Sequence, residues 1–205
     1  VVGAAAGTIV QDTFGIPFSL GVTAMLLGVA YLSYSGSKSI AAFMSWWSFV
    51  LYAVYALFII IGVSKFGPKI SQVLSQGEVT SGWALDGFRY AFYNLGCISA
   101  ILFTLSDIET RSEAVISGFL SSLITIIPGF LFYMVVLSGY PEIIGEPIPA
   151  FTALKSLGVV ALLIAYELVL FGTLVETGTG FIHAVNERLA STLKEQDKEL
   201  TKNMR

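Results

Sequence analysis

The sequence predicts an all-α membrane protein, and three observations support this fold class. Hydrophobic residues make up 55% of the 205 residues and charged residues only 12%, with a mean hydropathy of +0.80. Ordinary globular chains carry roughly 25% charged residues. The charges are also unevenly spaced, since Asp, Glu, Lys and Arg are absent from 13–37, 39–64, 90–106 and 114–141. Such gaps are typical of helices that cross a hydrocarbon layer of about 30 Å with about 20 residues.

The composition excludes several classes of protein. A soluble cytosolic enzyme and a disordered chain do not fit the hydropathy, and 11 basic against 14 acidic residues leave no positive surface for nucleic acid. The single cysteine, Cys97, excludes internal disulfides and a four-cysteine metal site. The first residues are small and apolar without a basic leader, so no signal peptide is predicted and the chain is expected to be a fragment.

The gaps and their boundary residues define the expected elements in order. Pro17 suits the first turn of a helix, and the polar run 35–38 closes it. The polar stretch 65–86 is too long for a simple turn and is expected to contain a short surface helix. Pro128 is expected to interrupt the span around it, while three prolines in 139–151 prevent one continuous helix there. The resulting spans are 1–11 (partial), 17–34, 40–64, 88–105, 113–138 and 156–190, all in one transmembrane domain, followed by a charged cytoplasmic tail at 191–205.

Lys and Arg placement predicts the orientation, because these residues favour cytoplasmic loops. If 35–39 is cytoplasmic, alternation places 106–112 and 185–205 on the same side and 66–86 and 139–151 outside. Seven basic residues then lie inside and four outside. The inside set is Lys38, Arg111, Arg188, Lys194, Lys198, Lys202 and Arg205, and the outside set is Lys65, Lys69, Arg89 and Lys155. We expect a multi-pass protein of the cell (inner) membrane.

The first candidate site lies within span 88–105, at Tyr93, Asn94 and Gly96. Asn competes for backbone hydrogen bonds and Gly adds flexibility, so the helix is expected to break at Asn94-Leu95-Gly96 and to expose backbone groups to a solute. The structural alternative is close helix packing through the small Gly96, with Asn94 bonded to a neighbouring helix.

The second candidate site lies on the last helix, where Thr173, Glu176 and Thr177 share a face and Thr179 is nearby. Oxygen ligands of this kind suit a hard cation, which predicts a site for Na⁺ or a relay for H⁺. The alternative is that Glu176 simply reaches water at the cytoplasmic end.

Glu167 lies near the centre of the same span, about 120° around the helix from Thr173. Its functional interpretation is proton coupling, and its structural interpretation is a protonated carboxyl bonded to another helix. The lone histidine, His183, has no partner beside it for a transition metal and is expected at the membrane interface. No nucleophile motif supports catalysis, so the chain is not predicted to be an enzyme.

Several segments together resemble the YkvI-type bacterial membrane proteins, relatives of the LeuT-fold transporters in the amino acid, polyamine and organocation superfamily. They are Phe14-Gly15-Ile16-Pro17, Gly36-Ser37-Lys38-Ser39, Phe92-Tyr93-Asn94-Leu95-Gly96, Gly139-Tyr140-Pro141-Glu142, Glu146-Pro147-Ile148-Pro149 and Thr177-Gly178-Thr179-Gly180. The resemblance covers nearly the whole chain.

The resemblance implies ten core helices in two inverted repeats, of which this chain would hold about helices three to eight. It places the solute site at the break of helix six and the sodium ligands on helix eight at Glu176, Thr177 and Thr179. Glu176 departs from the small or hydroxyl residue expected there, which leaves protons as the alternative ion.

These observations predict an ion-coupled secondary transporter of a small polar or amino-acid-like solute, working by alternating access. The alternative is a non-transporting membrane scaffold or accessory subunit, and an intramembrane enzyme is a third hypothesis. The expected partners are the lipid bilayer, the solute, and the missing helices of the same protein or a second copy. No cofactor is expected beyond a coupling Na⁺ or H⁺.

Overall fold

The computed structural model describes residues 2–77, 81–96, 98, 108–146 and 148–196, and in these ranges it contains helices and turns but no strand. The helices are α1 (Val2–Phe14), α2 (Phe18–Ser35), α3 (Ser37–Gln76), α4 (Trp83–Leu95), α5 (Arg111–Leu137), α6 (Pro149–Leu157) and α7 (Val160–Glu195), with a 3₁₀ turn at Glu142–Gly145. The predicted all-α class is confirmed.

Four helices in the described ranges are long and apolar enough to cross a membrane: α2, α3, α5 and α7. The chain is therefore a multi-pass α-helical membrane protein. The span expected at 88–105 begins earlier, as α4 at Trp83, and its residues 97 and 99–105 lie outside the described ranges. The first helix extends past the expected end at residue 11 to Phe14.

The third helix differs from the sequence prediction, which expected a short surface helix within 65–86. Instead of a separate element, α3 continues without interruption through Pro68 to Gln76. Proline usually conflicts with a helical residue before it because its ring meets that residue's Cβ. Gly67 has no Cβ, which removes part of this conflict and explains how the helix continues.

The fifth helix begins at a capping box and passes through Pro128 without the expected interruption. The Thr110 hydroxyl accepts a hydrogen bond from the Glu113 amide, and the Glu113 carboxylate accepts one from the Thr110 amide, both at 3.2 Å. Pro128 has no N–H, so the carbonyl of Ile124 loses its partner within the helix. The hydroxyl of Tyr52 donates to that carbonyl at 3.4 Å. A side chain of α3 thus replaces the donor that proline removes.

The last span begins later than residue 156. Ser156 belongs to the short helix α6, which ends at Leu157. Gly158 follows in a left-handed conformation (φ 70°), and α7 starts at Val160 and continues to Glu195. The ammonium of Lys65 donates to the carbonyls of Ser156 and Leu157, at 3.3 and 2.8 Å. These C-terminal carbonyls have no partner within their own helix, and a cation is favourable beside them. Lys65 therefore stabilises the end of α6.

The chain divides into two compact units. The first unit comprises Val1–Phe49, Ala84–Ile108 and Glu167–Arg205, and the second comprises Val50–Trp83 and Glu109–Tyr166. In the second unit, aromatic rings form much of the packing. Phe58 is fully buried and lies against Phe132 and Tyr166, with ring centroids 5.1 and 5.9 Å away, while Tyr55 stacks on both partners.

In the first unit, glycines allow helices to approach closely. A Cβ added at Gly21 of α2 would lie 2.9 Å from the backbone oxygen of Ala6 and 3.0 Å from the Cα of Gly7, so α1 and α2 cross almost backbone to backbone. On α7, a Cβ at Gly178 would lie 2.8 Å from the Met25 side chain. Small residues commonly lie where helices associate in lipid. The hydrophobic effect does not favour helix–helix contacts over contacts with acyl chains, so close packing has to stabilise the association.

We predict that Gly21→Ala lowers stability, because the new methyl group meets backbone atoms that cannot rotate away. Gly118→Ala is the matched control, since Gly118 is also helical and has open space around its Cβ position. Alanine there should be neutral or stabilise by up to about 1 kcal/mol through helix propensity. Thermal unfolding in one detergent measures both, and equal midpoints for the two variants would contradict the close α1–α2 crossing.

A second prediction concerns the Tyr52 hydroxyl. Tyr52→Phe should destabilise the protein by about 1 kcal/mol, because the Ile124 carbonyl loses its donor. In a Pro128→Ala background the alanine amide can bond to that carbonyl, so the same Tyr52→Phe change should cost less. A double-mutant cycle of unfolding free energies tests this coupling, and additive effects would show that the Tyr52 hydrogen bond is not a replacement for the missing amide.

Candidate functional site

Glu167 is the most unusual residue of the first unit. Only 1% of it is exposed, and its Oε1 atom has no hydrogen-bond partner. It lies in the apolar part of the membrane-length helix α7, after the run Ala161-Leu162-Leu163-Ile164-Ala165. A carboxyl in such surroundings is costly, and within membrane helices it most often belongs to an ion path, a proton relay or a buried pair. The alternative interpretation requires a group of another helix that bonds to the carboxyl, and Oε1 has no such partner.

An apolar groove lies beside Glu167, and we call it the α1–α2–α7 groove. Its volume is about 450 Å³. Its walls include Ile9, Val10 and Phe14 from α1, Leu20 and Ala24 from α2, and Leu168 and Phe171 from α7. Glu167 is the sole ionisable residue among those that line it in the described part of the chain. The groove therefore combines hydrocarbon walls with a single carboxyl group.

Asp12 adds a second carboxyl in the same unit. It lies on α1, two residues after Val10 and two before Phe14, which both line the groove, and its side chain is exposed. The next residue, Thr13, has a buried hydroxyl oxygen without a partner. In the sequence, Asp12 lies just beyond the partial span 1–11, and no relation to Glu167 was predicted from it. The available signal was the position of an acidic residue at the end of a half-span rich in small residues.

The residues predicted to bind a cation are not all brought together. Thr173, Glu176 and Thr177 remain neighbours on α7, and of these Thr177 is exposed, whereas Thr179 is completely buried. At 100° per residue, Thr177 and Thr179 lie about 160° apart around the helix. Each threonine hydroxyl donates to the carbonyl four residues earlier, at 2.7–2.9 Å. The hydroxyl oxygens keep lone pairs for a cation, but the four side chains do not form one ligand set.

The residues predicted to contact a solute lie at the end of α4. Tyr93 is 75% exposed, and the Asn94 amide donates to the carbonyl of Tyr90, four residues earlier in its own helix, at 2.8 Å. The helix ends at Leu95, and the Gly96 amide bonds to the Tyr93 carbonyl in a turn at 3.3 Å. Because 97 and 99–107 lie outside the described ranges, the expected break within a longer span stays a prediction.

Among the described residues no group of three or more His, Cys, Asp or Glu side chains is arranged to hold a metal ion. His183 is buried, with its Nε2 atom 3.9 Å from Glu187 Oε1. The same Glu187 oxygen accepts a hydrogen bond from the Ser37 hydroxyl at 3.3 Å. This contact joins the start of α3 to α7.

The second unit has a cavity of its own, of about 240 Å³. Lys69, Glu142, Ser138 and Thr152 are among the residues around it. Its two charged side chains are exposed to solvent. The buried side-chain oxygens that lack a partner in the described ranges, those of Thr13, Ser33 and Glu167, all belong to the first unit. The α1–α2–α7 groove is therefore the stronger candidate site.

Comparison of the chain with protein-family models, with curated proteins and with solved structures finds no match. The resemblance to YkvI-type proteins therefore stays a prediction.

We predict opposite labelling at two positions of α7, tested in a Cys97→Ala background. A cysteine at Thr177 should react with a small maleimide, because this side chain is exposed, whereas one at Thr179 should react slowly, because that side chain is fully enclosed. For each variant, the rate of reaction in detergent is divided by the rate after denaturation. Equal rates in the folded protein would show that these two threonines do not lie on opposite faces.

Proposed function

We propose that this chain belongs to a proton-coupled secondary transporter of a small polar or amino-acid-like solute, in which Glu167 carries the coupling proton. The observation that supports the proposal is the enclosed carboxyl of Glu167 with an unpartnered oxygen, in a membrane-length helix. A carboxyl placed there without a partner is stable as the neutral acid and costly as the anion. Its ionisation therefore depends on what else enters the site.

A proton suits the site better than Na⁺. Sodium, like other hard cations, needs several oxygen ligands at once, whereas the residues that line the groove provide one carboxyl among apolar side chains. The cluster Thr173, Glu176 and Thr177 offers more oxygens and keeps Na⁺ as the alternative coupling ion. Thr179 lies about 160° around the helix from Thr177 and about 120° from Thr173, which weakens the alternative.

Alternating access within a partial LeuT-type fold belongs to the same proposal. The helices of this chain would work together with further helices of the same protein or with a second copy. Tyr93, Asn94 and Gly96 would contact the solute where α4 ends. The proposed location is the cell inner membrane, with 35–39 and 185–205 on the cytoplasmic side.

A membrane scaffold or accessory subunit is the second candidate function, and helix packing favours it. Trp47 lies against Gly172 and its indole donates to the carbonyl of Val169 at 3.2 Å. Such tight association is sufficient for a purely structural protein. It does not explain why the interior would keep an unpartnered carboxyl, since replacing it with an apolar residue would be cheaper.

The test uses the natural polypeptide that contains these residues, in liposomes with a pH-sensitive dye inside. Amino acids and amines added singly should move protons in the parent protein when a pH gradient is imposed. Glu167→Gln keeps the shape and removes the ionisable group, so proton movement should fall to the level of protein-free liposomes. Glu176→Gln removes the carboxyl of the alternative cation cluster and should retain proton movement.

Two results would count against the proposal. Parent-level proton movement in Glu167→Gln would exclude this residue as the carrier. No proton movement with any added solute would favour the scaffold. If the Glu167→Gln variant is monodisperse and helical, its loss of proton movement is not due to unfolding.

A further inference from the structure

We infer that the α1–α2–α7 groove binds an organic ammonium ion with an apolar body, and that its charged head pairs with Glu167 in place of the proton. This inference rests on the proposed function, because the same carboxyl carries the coupling proton there. It names amphipathic amines, and not zwitterionic amino acids, as the compounds that exchange with the proton at Glu167.

The first step is charge compensation. Glu167 is enclosed, its Oε1 atom has no partner, and no Lys, Arg or His occurs among the residues that line the groove. An anion in this position needs a counter-charge, since an unpaired buried charge is strongly unfavourable. The counter-charge must come from a bound proton or from a guest cation.

The second step is the chemistry of the walls. Around the carboxyl the groove presents side chains such as Val10, Leu20 and Phe171, which favour a hydrocarbon body. Its volume of about 450 Å³ falls in the range of roughly 300–1,000 Å³ typical of small-molecule sites. A zwitterionic amino acid fits poorly, because its carboxylate would be buried beside Glu167 with no cation to pair with. The walls therefore select an amine without an acid group.

The third step is the field around the groove. Asp12 on α1 is exposed and lies two residues from each of the groove residues Val10 and Phe14, so its negative charge adds a potential that attracts cations and repels anions. The second helix carries no Asp, Glu, Lys or Arg, and its tyrosines Tyr31 and Tyr34 lie near its end. The next carboxyl of α7, Glu176, lies nine residues on, about 14 Å along the axis and about 180° around it. Within α1 and α2, Asp12 is therefore the one charged residue that adds to the potential at the site.

The binding step is an exchange of cations. The O–H bond of the neutral Glu167 acid breaks, its proton passes to water, and the carboxylate forms an ion pair with the incoming ammonium. One positive charge leaves as one enters, so the groove stays neutral throughout. Binding should then strengthen with rising pH until the amine itself loses its proton.

The experiment uses the 205-residue chain in nanodiscs of phosphatidylcholine, titrated with 4-phenylbutylammonium. The matched probes are 4-phenylbutanol, which has the same body without charge, and 4-phenylbutyrate, which has the opposite charge. Calorimetry in two buffers of different ionisation enthalpy gives both the affinity and the protons released. We expect saturable ammonium binding with about one proton released per ammonium, and no saturable binding of the alcohol or the acid.

Two variants and a control locate the binding. Glu167→Gln should weaken ammonium binding at least about tenfold, or about 1.4 kcal/mol, and abolish proton release, whereas Glu195→Gln, at an exposed position at the end of α7, should leave both unchanged. Ala24→Phe places a ring from an exposed position of α2 into the groove, and should weaken binding while circular dichroism shows the parent's helix content. This second variant tests the location even if Glu167→Gln does not fold.

Equal saturable binding of ammonium and alcohol would overturn the inference, as would ammonium binding unchanged in both variants or absent from the parent. If a lipid acyl chain fills the groove, ammonium binding will be absent from the parent, and this result counts against the inference. Failure of the two ideas can be distinguished. Ammonium binding with proton release but no pH-driven transport removes the proposed function alone, whereas transport that depends on Glu167 without ammonium binding removes only this inference.

Discussion

The need to satisfy backbone hydrogen bonds inside hydrocarbon governs this structure. It explains why the described ranges are helical, and it also explains side chains that do not look structural in the sequence. Pro128 leaves the Ile124 carbonyl without a partner, and Tyr52 supplies one from α3. The end of α6 leaves two carbonyls unpaired, and Lys65 bonds to both. In each case a side chain from another helix supplies the missing donor, and tertiary packing is thereby linked to local helix geometry.

Polar side chains also need hydrogen-bond partners inside hydrocarbon, but a few buried side-chain oxygens lack one. The buried oxygens without partners in the described ranges lie in the first unit, and Glu167 is the ionisable residue among them. A hydroxyl group in lipid costs little when it bonds to its own helix, as Thr173, Thr177 and Thr179 do. A carboxyl oxygen has no such local solution. The choice between transporter and scaffold therefore depends on one residue more than on the arrangement of the helices.

The sequence could predict the class and most helix positions, because gaps in charge follow directly from the cost of burying charge in lipid. Helix continuity could not be predicted in the same way. Proline rules describe local preference, whereas α3 and α5 continue through Pro68 and Pro128 with help from Gly67 and Tyr52. The sequence also singled out Glu167 from its depth in a span. It missed Asp12, and it grouped Thr179 with Thr177, because closeness along the chain does not show which face of a helix is covered by a neighbour.

The unequal burial of the long helices has a consequence for how this sequence can change over generations. Only 6% of the most apolar window of α5 is buried, against 33% for α7. Most side chains of α5 are therefore not enclosed by the described residues, and at such positions one aliphatic residue is as good as another. Substitution among Leu, Ile, Val and Phe should accumulate freely there, whereas α7 is restricted at Gly172 and Gly178 by the volumes of Trp47 and Met25. Related chains would then diverge fastest along the helix that is most hydrophobic.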